Sequence, residues 1–310
     1  MVRRLFAPLL ALATIAGCAQ GGAGAPNQDD LRAAFETRAR EVAQAWSAST
    51  ASGAWRTGFV PLQDLTVPPA GGFGTDEAKQ AFLAGWYELR TDLPATRPAD
   101  GRIHQPDESV LTVPLISARE AYAAIDQGDP PPCPTAPPPP PPSPAGPDTS
   151  VGSPVTGCTA LVVTAAKLDR AMIRTSQGQV AVPAWLFTVD KLAEPVARVA
   201  VAPSAIGALP TMDVPDFAYR HGLVNAQDLV RVEGNQLTFR LGVGACDENI
   251  QPLVYETPEA VVVAGTVTTT AGACIDLLKL EPVTVTLAEP LGPRAVLDAL
   301  TARPLVLMER

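Results

Sequence analysis

Twelve of the chain's 33 prolines fall between residues 130 and 147, as Pro130-Pro131-Pro132-Cys133-Pro134, then Pro137–Pro142, then Pro144 and Pro147. Proline fixes φ and has no N–H to donate, so such a run takes the extended polyproline II form and joins neither a helix nor an inner strand. The 310-residue chain must build its folded parts on either side of it. This predicts a proline-rich linker over 128–157, read as a spacer in preference to a ligand for a proline-recognising domain.

Before the spacer, residues 28–127 read as a small α+β domain. Residues 28–48 carry a helical pattern, with Phe35, Val42 and Trp46 on one face, Asn27 or Asp29 as cap, and Glu36 four residues from both Arg32 and Arg40. Ser47 to Gly53 breaks the pattern, and Trp55–Val67 is expected to supply a short strand. A second helix opens at Thr75-Asp76-Glu77, a strand follows at Val110–Ile116, and Ser117 with Glu120 three residues on makes a capping box. Beyond the spacer, residues 158–310 turn β-rich. Ser176-Gln177-Gly178, Gly234-Asn235 and Ala271-Gly272 are turn signals between apolar runs, and Val283–Leu287 alternates cleanly. The prediction is an all-β antiparallel domain, a sandwich or a partly closed barrel, with Trp185, Phe187 and Phe239 in its core.

The charge, 23 Lys and Arg against 32 Asp and Glu for a net −9, argues against a nucleic-acid partner, which needs clustered cations. Two histidines in the whole chain, His104 and His221, make a histidine-rich metal or acid–base centre a poor expectation. No G-x-S-x-G, S-x-x-K, H-E-x-x-H or G-x-x-x-x-G-K-[ST] motif occurs, so no catalytic residue, metal or cofactor is predicted.

At the N-terminus, Arg3 and Arg4 precede an apolar run from Leu5 to Ile15. That run is too short to span a bilayer, for which about 20 residues are needed, and reads as a signal peptide over 1–17. The stretch Ile15-Ala16-Gly17-Cys18 resembles the lipobox of bacterial lipoproteins, with Ile15 in place of the commoner leucine. The resemblance implies that Cys18 becomes the first mature residue and carries a diacylglycerol on its thiol, which places the protein on the extracytoplasmic face of a membrane. Losing Arg3 and Arg4 with the signal deepens the −9 to −11. Residues 18–27 form a small, Gly-rich tether, so the folded part is expected to stand off the bilayer. The mature chain is also similar to exported lipoproteins of high-GC bacteria, an impression carried by Val182–Val189 and Pro282–Leu300 that implies no activity.

Beyond Cys18, four cysteines suit two disulfides in an exported protein, with three possible connectivities. The favoured pairing is Cys133–Cys158 with Cys246–Cys274, each closing a loop of about 25 to 30 residues. Zinc is the alternative use, but there is no C-x-x-C spacing. The leading expectation is a non-enzymatic lipid-anchored protein that binds or organises an envelope protein or cell-wall partner. The alternatives are an envelope glycan hydrolase using Asp247, Glu248, Glu256 and Glu259 around Cys246, and a ligand-binding lipoprotein serving a transporter.

Overall fold

The computed structural model describes residues 27–130 and 159–308, apart from 213, 216, 218–221, 271 and 273. The signal peptide, most of the tether and most of the proline-rich linker therefore lie outside the described residues, as do Cys18, Cys133, Cys158 and His221. What is described is mostly β, in several open sheets that are chiefly antiparallel, with four helices.

Helix α1, Gln28–Ala48, starts where Asn27 Oδ1 accepts from the Asp30 N–H at 2.8 Å, with Asp29 and Asp30 at the positive end of its dipole. Helix α2, Thr50–Thr57, occupies the expected break and the start of the expected strand. Trp55 explains this override of local propensity: it is buried edge-on against Trp46, ring centroids 5.2 Å apart, and donates from Nε1 to the Pro293 carbonyl. Strand β1 is short, Thr66–Val67, and α3 runs Asp76–Ala84 with Thr75 as cap. Then come β2, Tyr87–Leu89, the hairpin β3, Gly101–His104, with β4, Val110–Val113, and helix α4, Ala118–Ile125. The predicted capping box is present: Ser117 Oγ accepts from the Glu120 N–H, and Glu120 accepts back from Ser117 N. His104 ends β3 opposite Val110.

Past residue 158, β5, Leu161–Thr175, and β6, Gly178–Val189, form a long hairpin around the predicted Ser176-Gln177 turn, and β7, Val196–Val199, follows. These strands build one five-stranded sheet in the order β1-β7-β6-β5-β2. The sheet takes β1 and β2 from before the proline-rich segment, so the packing joins the expected 28–127 and 158–310 spans where the sequence reading separates them. Both ends of the segment meet the same stretch of chain. Gly128 bridges Trp86, and Leu161 N donates to the Trp86 carbonyl at 2.9 Å. The described chain thus leaves and re-enters one sheet edge.

The remaining strands are β8, Leu223–Val224, β9, Ala226–Glu233, β10, Gln236–Gly244, β11, Asp247–Glu256, β12, Ala260–Thr269, β13, Leu278–Thr286, and β14, Ala295–Asp298. β13-β10-β9 form one sheet, with β9 and β10 joined at the predicted Gly234-Asn235 turn; β11-β12-β14, with β8 on β12, form another. Ala271-Gly272 does not make a hairpin of its flanks. β12 pairs β11, while β13 crosses to β10 in the facing sheet, and the chain returns to β14 parallel to β12. β12 is buried along both faces. Val261 and Val263 pack with Leu237, Phe239 and Leu241 of the facing sheet, while Val262 and Ala264 pack under Phe35, Val42 and Trp46 of α1. That double burial is why its sequence is a continuous apolar run instead of an alternating one. Trp185, Phe187 and Phe239 are core residues, as expected.

Candidate ligand groove

Pro68-Pro69-Ala70-Gly71-Gly72-Phe73-Gly74 leads from β1 into α3. Gly72 N donates to the Pro69 carbonyl at 2.9 Å, closing a turn in which Gly72 takes φ 75°, a backbone state that glycine enters without a Cβ penalty. Thr75 Oγ1 then accepts from the Ala78 N–H and starts α3. This helix is thinly seated. Ala81 is its one buried residue, Leu83 is 57% exposed, and Phe82 is held by the Phe73 ring at 4.8 Å.

Across from this loop lie Val230 of β9 and Met308, whose N–H donates to the Leu229 carbonyl. Val230 owes its position to a bulge. Leu229 opposes Phe239 and Arg231 opposes Thr238, so Val230 is the unpaired extra residue, a device that re-aims a side chain. Between the two walls lies a groove of about 900 Å³ lined chiefly by Pro68, Phe73, Phe82, Leu83, Val230 and Met308. Asp76 and Lys79 are its charged groups. Concave, mostly apolar and of small-molecule size, it has the form of a binding site.

Behind Phe82 and Leu83 a second cavity of about 230 Å³ is lined by Asp64, Thr66, Tyr87, Gln127 and Arg198. Arg198 donates from Nη1 to Thr66 Oγ1 at 2.9 Å, while its Nε and the Tyr87 hydroxyl have no hydrogen-bond partner among the described residues. Burial lowers the Arg198 guanidinium pKa. Burial also raises the Tyr87 phenol pKa, with Tyr122 and the Asp126 carboxylate adding to it. This cavity is narrow and polar, and it shares Phe82 and Leu83 with the groove.

No protein-family model, curated protein or solved structure matches this chain. The site is therefore read from its own chemistry.

The four acids do not form one patch around Cys246. Asp247 and Glu248 open β11 and Glu256 ends it, roughly 30 Å away at strand rise. Asp247 accepts from the Gly244 N–H and the Thr269 hydroxyl, both at 2.7 Å. Glu256 accepts from Arg294 Nη1 and the Ala288 N–H, both at 2.8 Å, and Glu259 takes Arg56 at 3.3 Å. Three of the four are thus held by structural partners. Cys246 and Cys274 are joined in a disulfide, Cα atoms 6.0 Å apart, matching one of the expected pairings. Among the described residues, no three His, Cys, Asp or Glu side chains gather as a metal site, and no helix is long and apolar enough to cross a membrane. Sequence reasoning missed the groove. The signal that marks it is the Pro- and Gly-dense segment 68–74 with one aromatic in its midst.

Proposed function

We propose that this chain is a membrane-anchored extracytoplasmic lipoprotein that works by binding, held through acyl chains on Cys18 and taking a small apolar molecule in the groove between the 68–75 loop and Val230. The observation that carries the reading is the groove itself: some 900 Å³ of mostly apolar lining at a bulge and a glycine-rich loop. An apolar occupant suits walls with two charged side chains, Asp76 and Lys79, and the volume suits a molecule rather than a folded partner. The core of the β-rich part is an open sandwich, whose rigid strands hold one wall while the thinly seated α3 supplies the other. A hydrolytic role finds less support, since three of the acids it would use are already engaged.

Titration of the full chain with the apolar fluorophore anilinonaphthalene sulfonate tests this. One saturable site is expected, weakened about tenfold or more by Val230→Asp, since losing a valine-sized apolar contact is worth at least about 1.4 kcal/mol. Val230 is exposed in the free protein, so the melting temperature should hold within a degree or two. Unchanged affinity in both Val230→Asp and Leu83→Asp would remove the groove as the site.

A further inference from the structure

The two most exposed large apolar side chains among the described residues, Ile275 at 70% and Leu278 at 64%, lie just after the disulfide, with Leu277 at 50% between them. Three such residues within four positions form a patch, which soluble surfaces seldom leave uncovered. The Cys246–Cys274 bond pins this segment to the end of β10 and the start of β11, so it is a fixed projection.

Its place relative to the start of α1 gives it meaning. Helix α1 is about 31 Å long and β12 about 33 Å, and they lie side by side in opposite directions. At the far end of α1, Ala43 and Ser47 share a surface with Tyr255 and Thr257. At the near end, the Leu31 side chain lies against Gly222, whose carbonyl accepts from the Val267 N–H at 2.8 Å. Two residues further along β12, Thr269 pairs with Asp247, and Thr270 N donates to the Cys246 carbonyl. The first turn of α1 and the disulfide-pinned projection therefore occupy the same end of the molecule, within a few strand residues of each other. Nine positions separate Cys18 from Asn27. Gly-rich chain of that length spans roughly 15–18 Å on average and about 30 Å at full stretch.

We infer that the projection Ile275–Leu278 is a membrane-contacting tip, inserted among the acyl chains of the same leaflet that holds Cys18. This rests on the reading of Cys18 as the lipid anchor, and it brings the folded part onto the bilayer instead of leaving it standing off. The occupant is a lipid surface because the tether delivers this end to one. Its headgroups are net neutral, because Asp276 lies within the tip and Asp247 and Glu248 follow the disulfide partner Cys246, with Lys279 as one opposing charge, which gives an anionic surface nothing to attract. The contact fixes the orientation of the molecule, with α1 and β12 rising from the membrane.

Quenching by brominated lipid tests this on the full acylated chain in phosphatidylcholine vesicles. Leu277→Trp places a fluorophore on the tip, and Met172→Trp places one at a similarly exposed position, 53%, on the five-stranded sheet. Trp46, Trp55 and Trp185 are buried and Trp86 is half-buried, and all four are common to wild type and both variants, so they give a constant background. The expected result is co-flotation with vesicles and bromine quenching in Leu277→Trp that exceeds that in Met172→Trp and wild type, insensitive to salt. Co-flotation with equal, weak quenching in both variants would overturn the tip and leave the anchor standing. Failure of the wild type to float, with Cys18→Ser behaving the same, would overturn the anchor and the tip together.

Discussion

Asp298 is fully buried at the end of β14, and its two oxygens accept from the Ala226 N–H at 2.8 Å and from the N–H and hydroxyl of Thr301 at 2.7 Å each. It ties β14 to β9 and closes the turn that follows. Burial outweighs these bonds and raises its pKa. Removing the carboxyl leaves the buried Ala226 N–H without a partner, at about 1–3 kcal/mol, and releases the Thr301 N–H and hydroxyl that close the turn. Asp298→Ala should therefore lose roughly 2–4 kcal/mol, read as a lowered midpoint in urea with an unchanged slope. Arg38 is a comparable case on α1. It lies 3% exposed, donates from Nε to the Ala299 carbonyl, and sits over the Phe217 ring at 5.4 Å. Periodicity reveals the apolar stripe of α1, Phe35, Val42 and Trp46, because it is a local property. It cannot reveal Arg38, whose partner is a backbone oxygen 261 residues away.

At the scale of elements, the legible ones are those whose signals sit within a few residues. The box at Ser117 and Glu120 is such a signal, and the structure adds Arg97, which donates from Nε and Nη2 to the Glu120 carboxylate. Arg97, foremost, and then the Ser117 N–H and hydroxyl pull the Glu120 pKa down to about 2. The folded-state value lies below the unfolded one, so the box contributes its full stabilisation above the ordinary value of about 4.3 and loses it as pH falls through about 2. A carboxyl-detected NMR titration should give that depressed midpoint for Glu120. In Arg97→Gln the midpoint should climb back toward the ordinary range, and Ser117→Ala should cost about 1 kcal/mol. Helix α2 and the crossing of β13 were not legible. Gly53 argues locally against a helix, and Trp55 outweighs it through burial against Trp46. Ala271-Gly272 looks like a hairpin turn, but the partner of β13 is chosen by the facing sheet, where Val283 and Val285 meet the core around Phe239. The groove was hidden for a similar reason: its loop wall is local chain, yet Val230 and Met308 reach it from the other end of the sequence.

Of the three main hydrophobic cores among the described residues, two cross the proline-rich segment, and the third, around Leu237, Phe239 and Val263, lies wholly beyond it. Of the two that cross, one joins Ile103, Leu115 and Ile125 to Val163, Ile173 and Phe187; the other joins Phe35, Val42 and Trp46 to Val262, Ala264 and Leu297. A spacer between autonomous domains would leave each core on its own side. Here the five-stranded sheet loses β1 and β2 if the chain is divided, and β12 loses the helix that covers one face. Each half would then expose a surface that the other now buries, at roughly 25 cal/mol for every Å² returned to water. Single domains exceed their unfolded states by only about 5–15 kcal/mol, so several hundred Å² of apolar surface returned to water is enough to offset that margin. Residues 28–127 made as a separate chain should accordingly show collapsed amide dispersion in heteronuclear NMR, residues 158–310 should keep dispersion only around the third core, and mixing the two should restore the full dispersed spectrum. Cooperative unfolding of 28–127 by itself would refute the shared cores. The intact chain should unfold in a single transition, because neither shared core survives the loss of the segments it borrows and the third is built on β12, which also carries one of them.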